Sequence, residues 1–127
     1  MNVLIVDDSR VMRMKLKSIL TGTGLPLDQV YEAGHGREAL ALLEKHEVDA
    51  LFTDINMPEM DGRQLIKELH ERQVAPNAVK IVCTTEGLGR LRDDFMRFGV
   101  NLYIEKPFEA ETVRQALMEV GRRLAAV

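Results

Sequence analysis

Polar side chains that could bind cations and anions stand at or just past the ends of four short apolar runs. They comprise three carboxylates, a hydroxyl and an ammonium: Asp7, Asp8, Asp54, Thr84 and Lys106. The runs cover 3–6, 50–53, 79–83 and 102–104, and their length and composition are typical of buried strands. If these strands are parallel, their carboxyl ends share one edge of a sheet, where folds of this kind bind ligands. We therefore expect the five side chains to meet in one pocket.

The charges of such a pocket predict its chemistry. Carboxylates a few ångströms apart repel one another and raise one another's pKa, and a hard divalent cation relieves this repulsion. Mg2+, with Mn2+ as a substitute, takes oxygen ligands and leaves room for phosphate oxygens. A carboxylate such as Asp54 can also act as a nucleophile, as in aspartyl-phosphate enzymes. The oxygens of a phosphoryl group on Asp54 would find partners in the metal, the Lys106 ammonium and the Thr84 hydroxyl.

Each of these residues also has an ordinary structural interpretation. Asp7 and Asp8 could be acids at a helix N-terminus, Asp54 and Thr84 could cap turns, and Lys106 could be a solvated surface lysine. These interpretations are independent of one another, so they do not explain why all five residues share one sheet edge. The joint placement favours a cation and phosphoryl site.

The elements that must position these residues alternate regularly along the chain. Predicted strands cover 3–6, 30–33, 49–53, 79–83 and 102–104. The spacing of apolar residues predicts helices that begin after Ser9, that contain 39–43, and that cover 62–72, 90–98 and 109–124. Five β/α pairs predict an α/β fold, a doubly wound five-stranded parallel sheet with helices on both faces.

Size and composition limit the classes of protein to consider. The 127 residues fit a single domain spanning 1–127, and the net charge of -3 argues against nucleic-acid partners and a polybasic membrane patch. Cys83 is the only cysteine, which excludes an internal disulfide and a cysteine-based zinc site. The first apolar run is too short for a signal peptide and no stretch approaches the length of a membrane span. We therefore expect a cytoplasmic protein.

The combined spacing of these motifs resembles the CheY-like receiver domain of two-component response regulators. The segments that carry the resemblance are VLIVDDS at 3–9, EAGHGREAL at 32–40, LFTDINMPEMDG at 51–62, VCTT at 82–85 and GVNLYIEKPF at 99–108. It covers essentially the whole chain. It implies a flavodoxin-like (βα)5 sheet with the strand order 2-1-3-4-5.

The resemblance also implies how the acidic residues act. Asp54 would be the phospho-acceptor and would receive its phosphoryl group from the phosphohistidine of a sensor histidine kinase. Asp8 and Asp54 would bind Mg2+ directly, Asp7 would assist through water, and the backbone carbonyl of Asn56 would complete the protein ligands.

Three residues at the other strand ends would complete the switch in such a domain. Lys106 and Thr84 would bind the phosphoryl group, and the Lys106–Pro107 peptide bond would be cis. Thr84 would move toward the phosphoryl group and vacate space into which Tyr103 turns, a two-state equilibrium biased by a covalent ligand. The alternative for Tyr103 is an ordinary strand residue whose hydroxyl lies in water. The output surface would be the fourth helix, the fifth strand and the fifth helix.

Two flanking positions predict the lifetime of the phosphoryl group. Asn56 lies two residues after Asp54, and Glu86 lies two residues after Thr84. A water molecule that attacks the phosphoryl group must pass these positions, and polar side chains should not block it. We expect a short lifetime, which Glu86→Leu should lengthen.

The chain ends shortly after the fifth predicted helix, so we expect it to act by docking to a partner. Its segments 84–86 and 99–108 look most like stand-alone chemotaxis regulators, which bind the flagellar motor switch when phosphorylated. We expect a monomer of this kind, with a kinase and a phosphatase as further partners. The alternatives are a phosphorelay intermediate and a receiver that belongs to a longer regulator.

Three other classes fit the sequence less well. A haloacid-dehalogenase-type phosphatase needs a second acid two residues after its nucleophile, where this chain has the amide Asn56. A pseudo-receiver, which is a pure interaction module, would lack part of the acid, Thr and Lys set. A flavodoxin-like FMN carrier would not meet its phosphate with the acidic loop of Asp7 and Asp8. We therefore expect a regulatory protein that promotes its own phosphorylation and dephosphorylation rather than an enzyme.

Overall fold

The structure, a computed structural model, describes residues 1–85 and 87–126. Within these ranges strands and helices alternate along the chain. They are β1 (Asn2–Val6), α1 (Arg10–Gly22), β2 (Gln29–Ala33), α2 (Gly36–Lys45), β3 (Ala50–Asp54), α3 (Gly62–Glu71), β4 (Val79–Thr84), α4 (Leu91–Arg97), β5 (Leu102–Glu105) and α5 (Ala110–Ala125). The strands pair in parallel in the order β2-β1-β3-β4-β5. This confirms the predicted fold class and strand order.

The strand β1 is buried on both faces of the sheet. Val3 and Ile5 pack into one core cluster, beneath α1 and α5, whereas Leu4 and Val6 pack into a second cluster with α2, α3 and α4. Burial on both faces explains why this run is continuously apolar. The first polar residue after it, Asp7, therefore emerges at the carboxyl end of the strand.

Side-chain caps fix where two of the helices begin. Ser9 Oγ accepts a hydrogen bond from Met12 N at 3.2 Å at the start of α1. Asp61 Oδ1 accepts from Gln64 N at 2.8 Å, and the Gln64 side chain accepts from Asp61 N at 3.2 Å, which completes a capping box at α3. Such caps satisfy the free N–H groups of a first turn. They also fix the loops 7–9 and 55–61, which carry site residues.

The observed bounds differ from the predicted ones by one or two residues. Asp54 and Thr84 are the last residues of β3 and β4 and pair within the sheet, rather than following the strands. Helix α4 is shorter than the predicted 90–98, and Gly89 just before it adopts a left-handed φ of 53°. Glu109 is the N-cap of α5 rather than its first residue.

Among the described residues, no helix has both the length and the apolar character needed to cross a membrane.

Candidate functional site

Three carboxylates meet at the carboxyl edge of the sheet. Asp7 and Asp8 follow β1, and Asp54 ends the neighbouring strand β3. Each residue contributes a carboxylate oxygen to a group in which all the oxygens lie within 4.8 Å of one another. Asp7 is buried, Asp54 is half-buried and Asp8 is exposed, so the group opens to solvent on the side of Asp8.

The Lys106 ammonium lies against this acidic group. Its Nζ donates to Asp7 Oδ2 at 2.6 Å and lies 3.5 Å from Asp54 Oδ2. All three side chains are less than one-fifth exposed, so solvent screens these contacts weakly. The Lys106–Pro107 bond is cis, as the resemblance implies. Lys106 N also donates to Thr84 O at 2.8 Å, which holds the segment after β5 beside the end of β4.

Burial and charge shift the pKa values of both partners. Burial raises the pKa of Asp54 and the Asp7 charge raises it further, while Lys106 and the N–H of Ile55 lower it without cancelling the rise. Burial alone would lower the pKa of Lys106, but the Asp7 hydrogen bond and the Asp54 charge outweigh burial and raise it. Lys106 is therefore a permanent ammonium at neutral pH. Asp54 is a more basic carboxylate than an exposed aspartate, as suits a nucleophile.

The oxygens of the three carboxylates are not equally available to a ligand. Asp7 Oδ1 accepts from Ser9 N at 2.9 Å and its Oδ2 accepts from Lys106. Asp54 Oδ1 accepts from Ile55 N at 2.8 Å, and Asp8 is exposed. Hard carboxylate oxygens that outnumber the single ammonium fit a divalent cation of the Mg2+ type. Because both Asp7 oxygens already have partners, Asp8 and Asp54 are better placed to bind such a cation directly.

Thr84 and Tyr103 lie on the same face of neighbouring strands. Tyr103 is the register partner of Val82, and Thr84 is two residues further along β4, next to the partner of Asp54. The Tyr103 hydroxyl is buried and has no hydrogen-bond partner among the described residues. The guanidinium of Arg92 lies 5.7 Å from the centre of its ring, and burial raises the pKa of the phenol. The hydroxyl is therefore not the solvated group of the ordinary-strand interpretation.

Of the two residues predicted to set the phosphoryl lifetime, the structure describes Asn56. Asn56 is exposed in the loop between β3 and α3, two residues after Asp54. Glu86, the other residue predicted to set the phosphoryl lifetime, lies outside the described residues.

Sequence reasoning missed two residues that support the site. Arg13 Nη1 donates to the backbone carbonyl of Asp7 at 2.6 Å, and its Nε donates to Glu32 Oε1 at 3.2 Å. Arg13 is four residues after the N-cap Ser9, so it lies one helical turn above the acidic loop, and this spacing was the available signal. Gly62 N donates to Ile55 O at 2.7 Å, and a Cβ on Gly62 would lie 2.1 Å from the carbonyl oxygen of Asp54. Only glycine therefore fits beside the end of β3.

The β2–α2 loop is tied to the loop between β3 and α3. His35 Nε2 lies 2.9 Å from the carboxylate of Glu59, whose φ is 62°, and Gly36 N donates to Met60 O at 2.8 Å. A Cβ on Gly36 would lie 2.6 Å from Met60 Cγ. These contacts hold the loop that follows Asp54 against the start of α2.

Comparisons with known proteins agree on one family. The family described as the response regulator receiver domain matches residues 3–118. The chain is 42% identical over 121 residues to a chemotaxis protein CheY homolog of Campylobacter jejuni, covering 94% of this chain and 92% of that protein. It is 39% identical to the chemotaxis protein CheY of Thermotoga maritima, covering 94% and 97%. A solved CheY-like receiver domain from Methanospirillum hungatei superimposes with a TM-score of 0.87 at 25% identity, covering 99% and 98%.

Proposed function

Because this chain belongs to the response regulator receiver domain family, we propose that Asp54 accepts a phosphoryl group from the phosphohistidine of a sensor histidine kinase. The observation that carries the proposal is the meeting of Asp7, Asp8 and Asp54 with the buried Lys106 ammonium. Asp54 is half-buried beside the exposed Asp8, and a phosphodonor would approach it from the solvent side of Asp8. The protein would act as a signalling switch in the cytoplasm, not as an enzyme with a separate substrate.

The transfer consists of one bond formed and one broken. A carboxylate oxygen of Asp54 attacks phosphorus, the P–N bond of the phosphohistidine breaks, and the electron pair stays on the imidazole nitrogen, which takes up a proton. The product on Asp54 is an acyl phosphate. Lys106, already 3.5 Å from Asp54 Oδ2, provides a positive charge for one phosphoryl oxygen. Thr84, on the neighbouring strand end, provides a hydroxyl for another.

The acidic residues would hold the divalent cation that this family uses. Asp8 and Asp54 are proposed as direct ligands of Mg2+ or Mn2+, with Asp7 acting through water and the Asn56 carbonyl completing the set. When bound, the cation supplies positive charge that offsets the charges of the carboxylates and the phosphoryl oxygens. Hydrolysis then returns Asp54 to a carboxylate, and the polar residues Asn56 and Glu86 would leave a path for the attacking water.

The surface formed by α4, β5 and α5 would bind the output partner. We propose that Thr84 shifts toward the phosphoryl group and that Tyr103, on the same face of the sheet, follows it. Exposed Met96 on α4 and Met118 on α5 offer apolar contacts to a partner. The two relatives named above are chemotaxis proteins, which supports a chemotaxis-type output such as the flagellar motor switch, bound by a monomer of this domain.

The test is an intact-mass measurement after incubation with acetyl phosphate, with and without Mg2+. We expect a Mg2+-dependent gain of one phosphoryl group, lost in Asp54→Asn and kept in the control Asp93→Asn, which changes an exposed acid on α4. Beryllofluoride, which mimics the phosphoryl group, covers the case of a rapid hydrolysis. If neither reagent modifies or binds the folded wild-type protein, the proposal is wrong.

A further inference from the structure

A polar cavity lies at the opposite edge of the sheet from Asp54. It has a volume of about 450 Å³ and lies between the end of α3, the start of β4, the α4–β5 turn and the end of α5. Its polar lining contains one imidazole, two cationic side chains and three amides: His70, Lys80, Arg123, Gln73, Asn77 and Asn101. Leu69 and Phe98 form an apolar wall. Among the described residues that line it, none is an Asp or a Glu.

The unusual member of this lining is Lys80, which points from β4 into the interior. It is only 6% exposed. Its Nζ donates to Ala75 O and Ala78 O, both at 3.2 Å, which uses two of its three protons. Burial lowers the pKa of this ammonium, and within the described chain no carboxylate charge offsets that effect. A buried ammonium without a counter-charge is unfavourable, so such groups are normally paired or bind a ligand.

Hydrogen bonds and a ring contact fix the residues around Lys80. Asn101 Oδ1 accepts from Lys80 N at 2.8 Å, and Asn101 N donates to Lys80 O at 2.9 Å, which joins the α4–β5 turn to β4. The rings of His70 and Phe98 are in tilted contact, with centroids 5.6 Å apart. The rim therefore combines hydrogen-bond donors, a positive charge and a flat apolar surface, which is the usual make-up of a small-molecule site.

Arg123 adds a second positive charge at the rim. Its Nε pairs with Glu119 at 3.2 Å, which leaves its other guanidinium donors for a ligand. The neighbouring Arg122 also pairs with Glu119 but does not line the cavity. The two arginines thus differ mainly in their access to the cavity.

We propose that this cavity binds a small organic anion, with a carboxylate or phosphate group near Lys80 and Arg123 and a flat apolar part against Leu69 and Phe98. The negative charge of the ligand provides the counter-charge that Lys80 lacks. The volume of about 450 Å³ accommodates a single aromatic ring with its acidic group. The site is separate from Asp54 and does not depend on phosphorylation.

The experiment is a titration of the 15N-labelled protein followed by NMR, without Mg2+, with benzoate, phenyl phosphate and the neutral benzyl alcohol as probes. We expect benzoate or phenyl phosphate, or both, to shift the amide signals of 77–80 and 98–101 saturably, and benzyl alcohol to cause no saturable shift. The tighter of the two anions identifies the preferred acidic group. Saturable shifts from benzyl alcohol equal to those from the anions, or none from either anion, would overturn the proposal.

Single substitutions test whether the anionic probes bind in this cavity. Arg123→Ala should weaken binding of the anionic probe at least threefold, whereas Arg122→Ala, which removes the same charge from the same helical turn, should leave it unchanged. Lys80→Met should abolish binding while the signals of a folded protein remain. Asp54→Asn should bind the probes as the wild type does. Equal losses in Arg122→Ala and Arg123→Ala would mean that only general surface charge attracts the anions, and the proposal would then be wrong.

Discussion

Replacing Gly62 by alanine should destabilise the protein, because no space exists for the added Cβ. That atom would lie 2.1 Å from the carbonyl oxygen of Asp54 and 2.9 Å from Ile55 Cα, closer than real Cβ contacts come. Both neighbours are backbone atoms, so no side chain can turn away to relieve the contact. The first residue of α3 must then move away from the end of β3, and the hydrogen bond from Gly62 N to Ile55 O must lengthen.

The expected loss of stability is large because backbone atoms must move to relieve the contact. Overpacking of this kind costs about 1–3 kcal/mol, and we expect the upper end here. For a domain of this size, a loss of about 3 kcal/mol lowers Tm by about 10 °C. The displaced carbonyl belongs to Asp54, so the affinity of the site for Mg2+ should fall as well.

Gly121 serves as the control, because alanine at this position should raise the stability of the protein. Gly121 lies inside α5 and a Cβ there would meet nothing within 4 Å. Alanine is favoured over glycine in a helix by about 1 kcal/mol, so Gly121→Ala should raise Tm by about 3 °C. Thermal unfolding and Mg2+ titration of both variants test the reasoning. If Gly62→Ala melts at or above the wild-type temperature, the Asp54 carbonyl does not exclude a Cβ at position 62, and the reasoning is wrong.

Three further outcomes are expected. Lys106→Met leaves the three carboxylates without their ammonium, so Mg2+ should bind more tightly in a titration while phosphorylation by acetyl phosphate slows at least tenfold. The pKa of Asp54 is raised in the folded state, so folding favours its protonated form, and stability from this group falls as pH rises through the folded pKa. Asp54→Asn should therefore have a higher Tm than the wild type at pH 7, with the difference shrinking as pH falls toward about 4; a constant difference would contradict this cause. Tyr103→Phe removes a buried hydroxyl that lacks a partner among the described residues, so urea unfolding should show it to be equal to the wild type or about 1 kcal/mol more stable.

The fold could be predicted because its signals are local. Runs such as 3–6 are continuously apolar since both faces of β1 are buried, and Ser9 has the short side chain that caps a helix. The rule that parallel strands share a carboxyl edge is then sufficient to bring Asp7, Asp54 and Lys106 together.

Properties that depend on distant contacts could not be predicted. Lys80 looks like a surface lysine in the sequence, but its side chain is buried and its Nζ donates to the carbonyls of Ala75 and Ala78 in the loop between α3 and β4. The spacing of Arg13 from Ser9 indicates that it lies near the acidic loop, but its hydrogen bond to the Asp7 carbonyl depends on the direction of its side chain from α1, which the spacing does not specify. The buried hydroxyl of Tyr103 likewise depends on the surroundings of β5, which the alternation of residues along the strand does not specify.

The most direct test of the central claim is to locate the phosphoryl group on the chain. Protein treated with acetyl phosphate and Mg2+ would be reduced with borohydride, which converts a phosphorylated aspartate into homoserine, and then digested for peptide mass spectrometry. The account predicts homoserine at position 54 and an unreduced Asp8 in the same sample. Homoserine at position 8, or a phosphate that survives on a serine or threonine with Asp54 unchanged, would contradict it.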